Sequence, residues 1–241
     1  MNTYKLTISV LCITALLIAG CSRKESGKYT GPVERITLAA YAGSYGFIPF
    51  VAQDKGFYKE NGLEVTLIEY DFGLKAADAL IESKADIATA ADFVLVSYGF
   101  DHTDLRTIGS IARSLTDEIV ARRDRGIDRP LDLKGKRIGV SPKTKAEYFL
   151  ARFLMFNGID YKDINAVHLP PSRIVEAISK GEIDAVSVWE PFAGEIKKRL
   201  GSNTISWPAQ SDQAFYYLLL CRDGWIKTHP AAVERFLRAM I

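Results

Sequence analysis

From Arg35 onward the chain alternates two spacings of apolar residues. Ile36-Thr-Leu-Ala-Ala-Tyr41 is a short apolar run and predicts a strand, closed by the turn Gly43-Ser44-Tyr45-Gly46. Phe47, Phe50, Val51 and Asp54 then fall at helical spacing, so a helix with its three apolar residues toward the core is expected. Gly56 and Gly62 stop the helical segments around Phe57-Tyr58, as glycines do at left-handed caps. Residues 64–70 alternate polar and apolar and predict a second strand. Asp71 is placed to cap a helix over residues 73–83, whose Leu74, Ala77, Leu80 and Ile81 form one face. Residues 86–91 follow as a third strand.

The same order restarts after Asp128. Residues 136–140 predict a strand, and Thr144-x-x-Glu147 predicts a capping box that opens a helix running to Asn157-Gly158. Residues 166–169 read as a strand, which makes His168 a core residue. Residues 172–180 form a helix ended by Gly181, and residues 183–189 form a near-continuous apolar strand. Such runs suit parallel strands covered on both faces. Two successive βαβαβ units argue for an α/β fold of two lobes, each a small doubly wound, mainly parallel sheet. Glu118-Ile-Val-Ala121 reads as a strand crossing from the first lobe to the second, and residues 214–221 read as the strand that carries the chain back. The expected division is residues 34–120 with 214–241 for lobe 1 and 121–213 for lobe 2. The mixed-charge run Arg122-Arg-Asp-Arg-Gly126 reads as a solvated loop rather than a phosphate-binding patch, because Asp124 and Asp128 interrupt its basic residues. Thr228-His-Pro230 caps and opens a last helix. Its apolar face (Val233, Phe236, Leu237, Met240) is still running at Ile241, so the chain is expected to be truncated at its C-terminal end.

The amino end follows a different pattern. A weakly basic start to Lys5 precedes an apolar run over residues 6–19, as in a secretory signal, and the run is shorter than a spanning helix requires. It ends Leu17-Ile18-Ala19-Gly20-Cys21, which resembles a bacterial lipobox. Residues 1–20 are therefore expected to be a lipoprotein signal peptide, and Cys21 the lipidated first residue of the mature chain. The polar, aperiodic residues 21–33 would be a flexible tether.

Composition narrows the chemistry. Of 241 residues, 48% are hydrophobic and 25% charged, an ordinary globular balance, and a net charge of +2 is too even for a nucleic-acid coat. Cys12, Cys21 and Cys221 are too scattered for a disulfide framework or a thiolate metal site, and Cys221 sits in an apolar run that suits burial. His102, His168 and His229 share no short motif. There is no G-x-S-x-G, Walker, H-E-x-x-H or C-x-x-C pattern, so neither a catalytic residue nor a metal or cofactor is expected.

Three segments carry a family likeness. Ile48-Pro-Phe-Val-Ala-Gln-Asp-Lys-Gly-Phe-Tyr58 with Asn61-Gly-Leu-Glu-Val65 is the first. The others are Ala79-Leu80 through Asp86-Ile87-Ala88, and Gly181-Glu-Ile-Asp-Ala-Val-Ser-Val-Trp-Glu-Pro191. In order and spacing they resemble the solute-binding proteins of bacterial ABC importers, in the nitrate, sulfonate, taurine and thiamine-precursor branch. The resemblance implies a periplasmic-binding-protein-like fold joined by two crossover strands. It implies a monomeric, lipid-anchored, extracytoplasmic protein that captures a small polar solute between its lobes and delivers it to permease subunits. An extracytoplasmic sensor module is the alternative. A thiamine-pyrimidine-synthesis enzyme is a further one, although the cysteine-rich motif of that eukaryotic branch is absent.

In open α/β sheets ligands bind beyond the carboxyl ends of the strands, near helix N-termini. That rule makes Ser44, Tyr45, Asp71, Gly73, Asp92, Thr144, Trp189 and Glu190 the candidate ligand-binding residues. Asp71, Asp92 and Thr144 have capping as a competing role, and Ser44 and Tyr45 have plain turn chemistry. Arg113 and Arg173 are expected at the surface. The acids Asp71, Asp92 and Glu190, beside Tyr41, Tyr45, Phe72, Phe93 and Trp189, suggest an amine or aminopyrimidine held partly by Glu190. Anion capacity at the helix starts near Ser44 and Thr144 adds a second pole, as taurine would need.

Overall fold

The apolar runs of the sequence become two five-stranded sheets in the computed structural model, which describes residues 29–210 and 213–241. The signal peptide and Cys21 lie outside the described residues, as does most of the tether. The first sheet contains β1 (Glu34–Tyr41), β2 (Leu63–Tyr70), β3 (Ile87–Ala91) and β4 (Leu105–Ser114). The chain then enters the second sheet as β5 (Glu118–Arg122), followed by β6 (Arg137–Val140), β7 (Asn165–His168), β8 (Ala185–Val188) and β9 (Thr204–Pro208). It returns to the first sheet as β10 (Phe215–Arg222). The orders are β2-β1-β3-β10-β4 and β7-β6-β8-β5-β9. Each sheet thus has the same plan, with the strand next to its far edge supplied by the chain arriving from the other sheet.

The pairing is mixed. β1 is parallel to β2 and β3, and β6 to β7 and β8. The crossing strands run against their neighbours: β10 is antiparallel to β3 and β4, and β5 to β8 and β9. β3 and β8 are buried at every residue, as strands covered on both faces must be. The helices that cover the first sheet are α1 (Ile48–Asp54), α2 (Phe57–Glu60), α3 (Gly73–Ile81), α4 (Asp92–Tyr98), α8 (Asp223–Thr228) and α9 (Pro230–Arg238). Those of the second sheet are α5 (Lys145–Phe156), α6 (Pro171–Lys180) and α7 (Phe192–Leu200). Both sheets lie within one unit, Pro32–Ile241.

Several local expectations are corrected. α1 buries Pro49 and Ala52, while Phe47 and Val51 are exposed, so the face that packs is the one carrying the smaller residues. Asp71 does not cap α3, because Phe72 holds the N-cap position with no side-chain bond. Thr144 does cap α5, accepting from the N–H of Ala146 at 3.3 Å. The expected box is displaced, however, since Glu147 accepts from the N–H of Lys143 at 2.9 Å. His168 is exposed because β7 is an edge strand. The basic run after β5 is more than a solvated loop. Arg122, with a side chain 12% exposed, donates to the carbonyls of Ile178 and Ser179 at the end of α6, where a cation complements the helix dipole. Cys221 is fully buried, and burial pushes its thiol up to about 12.

The two crossings are tied to one another. The N–H of Asp117 donates to Gln210 Oε1 at 2.9 Å, and the N–H of Ala209 to the Asp117 carbonyl at 2.9 Å. The Gln210 amide in turn donates to the carbonyl of Gln213 at 2.9 Å. Away from these links the lobes also touch through rings. Phe93 of α4 lies 4.5 Å from Tyr148 and 5.5 Å from Phe149 of α5.

Candidate functional site

The parallel strands of both sheets point their carboxyl ends at one cavity of about 320 Å³. From the first sheet it takes Tyr41 at the end of β1, Phe72 and Gly73 after β2, and Ala91 at the end of β3. From the second it takes Ser141 and Pro142 after β6, His168 and Leu169 at the end of β7, and Trp189 after β8. Tyr45, Leu74, Val94, Pro170, Pro171 and Tyr217 extend a wall that is largely aromatic and aliphatic, and Lys75, Thr144 and Lys145 complete it.

Two helices open onto this space. α3 begins at Gly73, where an added Cβ would lie 2.5 Å from Tyr217 Oη and 3.0 Å from Ala90 Cα, so only glycine fits that packing. α5 begins at Lys145 behind its Thr144 cap. Both starts present the positive end of the helix dipole, which suits anions, although at α5 the Ala146 N–H is already taken by Thr144. α6 also starts here, but it starts on prolines, which offer apolar surface and no N–H.

Charge reaches the site from Lys75, an exposed lining residue 3.4 Å from Asp78, and from a buried pair. Lys145 Nζ lies 2.5 Å from Asp117 Oδ2, and the two residues are 4% and 1% exposed. The ammonium sits over the ring of Phe215 at 3.6 Å and at 5.2 Å from each of Tyr45 and Trp189. Burial lowers Lys145 to about 8 against the pull of Asp117, and burial likewise raises Asp117. Asp117 Oδ1 is buried with no hydrogen-bond partner. Tyr45 Oη, whose ring packs edge-on against Phe215, bonds the hydroxyl of Thr116 in the first crossing.

Of the eight expected residues, Tyr45, Gly73, Thr144 and Trp189 line the cavity; Ser44, Asp71, Asp92 and Glu190 do not. Ser44 and Asp71 are exposed. Asp92 Oδ2 accepts from the N–H of Tyr216 at 3.0 Å, which fastens α4 to β10. Glu190 accepts from the N–H of Gly194 at 3.0 Å, a helix-start bond for α7. The acids expected to form a cationic-ligand pole are therefore spent on backbone donors or face solvent. Arg113 and Arg173 are exposed, as expected, and Arg173 pairs with Glu176 and Glu182. Lys145 and Asp117 escaped sequence reading. The sequence placed Lys145 at a helix start, yet nothing local announces that a partner 28 residues away is buried with it.

The NMT1/THI5-like family model matches residues 45–241, which takes in the whole second sheet, the first sheet apart from β1, and every cavity-lining residue except Tyr41. The chain belongs to the NMT1/THI5-like family. A protein of Brucella abortus (strain 2308) named as a binding protein is 27% identical over 212 residues, covering 86% of this chain and 64% of that relative. The chain thus spans slightly under two thirds of the length of that relative. The taurine-binding periplasmic protein of Escherichia coli (strain K12) is 27% identical over 198 residues, 79% of this chain and 60% of its own length. The alkanesulfonate-binding protein SsuA of Xanthomonas axonopodis pv. citri, solved with MOPS bound, superposes with a TM-score of 0.72 at 17% identity. That match covers 88% of this chain and 73% of SsuA. The NMT1/THI5-like fold here is accordingly the generic periplasmic-binding-protein fold, two sheets with alternating strands and helices.

Proposed function

We propose that this chain is the extracytoplasmic substrate-binding component of an ABC importer. In this reading it captures a small organic anion of the alkanesulfonate type between its lobes and hands it to a membrane permease. The observation that carries the reading is the cavity at the strand ends of both sheets, lined from both sides and bordered by two helix starts. A solute held there touches both lobes, so its binding energy favours the arrangement in which the lobes are together. The helix starts suit the anionic head, and the aromatic and aliphatic wall suits a short hydrocarbon body. The binding-protein and taurine-binding names among its relatives support the role, as does the alkanesulfonate-binding neighbour in fold. Within this reading Tyr45, Gly73, Thr144, Lys145 and Trp189 are the ligand contacts. Lipid attachment through Cys21 would keep the protein at the membrane, and fatty-acid labelling of the wild type but not of Cys21→Ala tests that part.

The capture reading is tested by melting the protein with 1-propanesulfonate, taurine, nitrate and an aminopyrimidine. The alkanesulfonate is expected to raise the melting temperature most, by mass action. Indifference to all four, together with turnover of any of them by the purified protein, would replace the receptor reading with an enzymatic one.

A further inference from the structure

The surroundings of the Lys145 ammonium are those of a receptor for organic cations. Three rings face it within 6 Å, from Tyr45 after β1, Trp189 after β8 and Phe215 on β10. A carboxylate closes the cluster: Asp117 Oδ2 pairs with the ammonium while Oδ1 stays buried without a partner. Rings offer a cation their negative faces, and a carboxylate adds a charged hydrogen bond. These four groups come from four separate stretches of chain, so their convergence is a property of the fold and not of a local motif. The cluster adjoins the cavity, because Tyr45, Trp189 and Lys145 itself all line it.

We propose that Lys145 occupies, from within the chain, a site shaped for a primary alkylammonium group, and that this internal occupant is what excludes amine-bearing solutes from the cavity. An ammonium arriving from solution would have to displace a tethered one that is already desolvated and paired. Removing the side chain beyond Cβ would leave a channel the length of three carbons and a nitrogen, ending at the rings and Asp117. Lys145→Ala is then a cation receptor for n-propylammonium.

This inference shares its cavity with the capture reading, and its test needs no natural solute. At pH 7 the wild type, Lys145→Ala and Lys145→Met are melted and titrated with n-propylammonium chloride against sodium chloride of equal ionic strength. The Ala variant is expected to bind n-propylammonium at least about ten-fold more tightly than the wild type and to regain melting temperature as it does. The Met variant, whose side chain fills the channel, is expected to show no such response. An Ala variant indifferent to n-propylammonium would overturn the proposal, as would a wild type that responds equally. If Lys145→Ala does not fold unaided, refolding with the amine replaces the titration. Folded protein recovered with n-propylammonium but not with tetramethylammonium, which cannot donate to Asp117, supports the proposal, and none recovered with either overturns it. Titration of the wild type with 1-propanesulfonate is read separately, and its failure counts against the capture reading alone.

Discussion

Lys145 and Asp117 are each disfavoured by the burial that brings them together, and this has a sign that can be measured. Lys145 titrates near 8 in the folded chain and near 10.5 when exposed, so between those values the unfolded state holds more protons. Stability should therefore rise with pH across about 8 to 10.5, the cost being fully present at and below 8. Asp117 is shifted up, so its own contribution falls as pH climbs from its ordinary value near 3.8. Denaturant melts should show the alkaline rise in the wild type and lose it in Lys145→Met/Asp117→Asn. At pH 7 Lys145→Met alone should lose about 3–5 kcal/mol, because it strands a buried carboxylate, whereas the double variant should equal or exceed the wild type. Glu190 makes the contrasting case. Its carboxylate serves the N–H of Gly194 and lies off the cavity wall, so Glu190→Gln should cost about 0.5–1.5 kcal/mol of stability. Calorimetry should find the affinity for 1-propanesulfonate unchanged, and a large loss would return Glu190 to the site.

At the scale of elements, the start of α3 is where packing and recognition meet. Gly73 has an ordinary helical backbone, so Gly73→Ala would be tolerated by conformation; it is the 2.5 Å approach to Tyr217 Oη that forbids it. The substitution should cost about 1–3 kcal/mol in denaturant melts and should weaken solute binding as the helix start is pushed from the cavity. Among the described residues, six of the ten strands were legible as apolar runs between turn signals, and the two crossing strands as apolar runs before and after the second unit. β4 and β9 were not. β4 carries Gly109 in its middle, has Arg106 and Arg113 among its solvent-facing residues, and pairs with β10 through two register shifts; β9 ends in Pro208. Both are edge strands, where one side needs no apolar partner and proline is tolerated, so neither has the alternation that reading relies on. Of the site, the helix starts and Trp189 were legible because strand-end geometry is general. The Lys145–Asp117 pair was not, because a charge buried by tertiary packing looks in sequence like any other surface charge.

At the scale of the molecule, the crossings bind the lobes by exchange. The long-range bond between the Tyr216 N–H and Asp92 spans 124 residues, and it can form only after the whole second sheet has been made. The strands of that second sheet all lie between Glu118 and Pro208, an uninterrupted stretch. The first sheet has no such stretch: without β10 its β3 and β4 have no common partner, since they do not pair with each other. A fragment of residues 117–210 should therefore show cooperative thermal unfolding by circular dichroism. A fragment of residues 32–116 should aggregate or remain unfolded, with two unsatisfied strand edges facing water. Cooperative melting of the shorter amino-terminal piece would refute this. The consequence is an order of assembly. As the chain leaves the ribosome β1 to β4 have to wait, unfinished, while the second sheet folds, and β10 then closes the sheet that was begun first. A chain built this way spends part of its synthesis half open, and because Tyr217 of β10 lines the cavity, that cavity gets its last wall only when β10 docks.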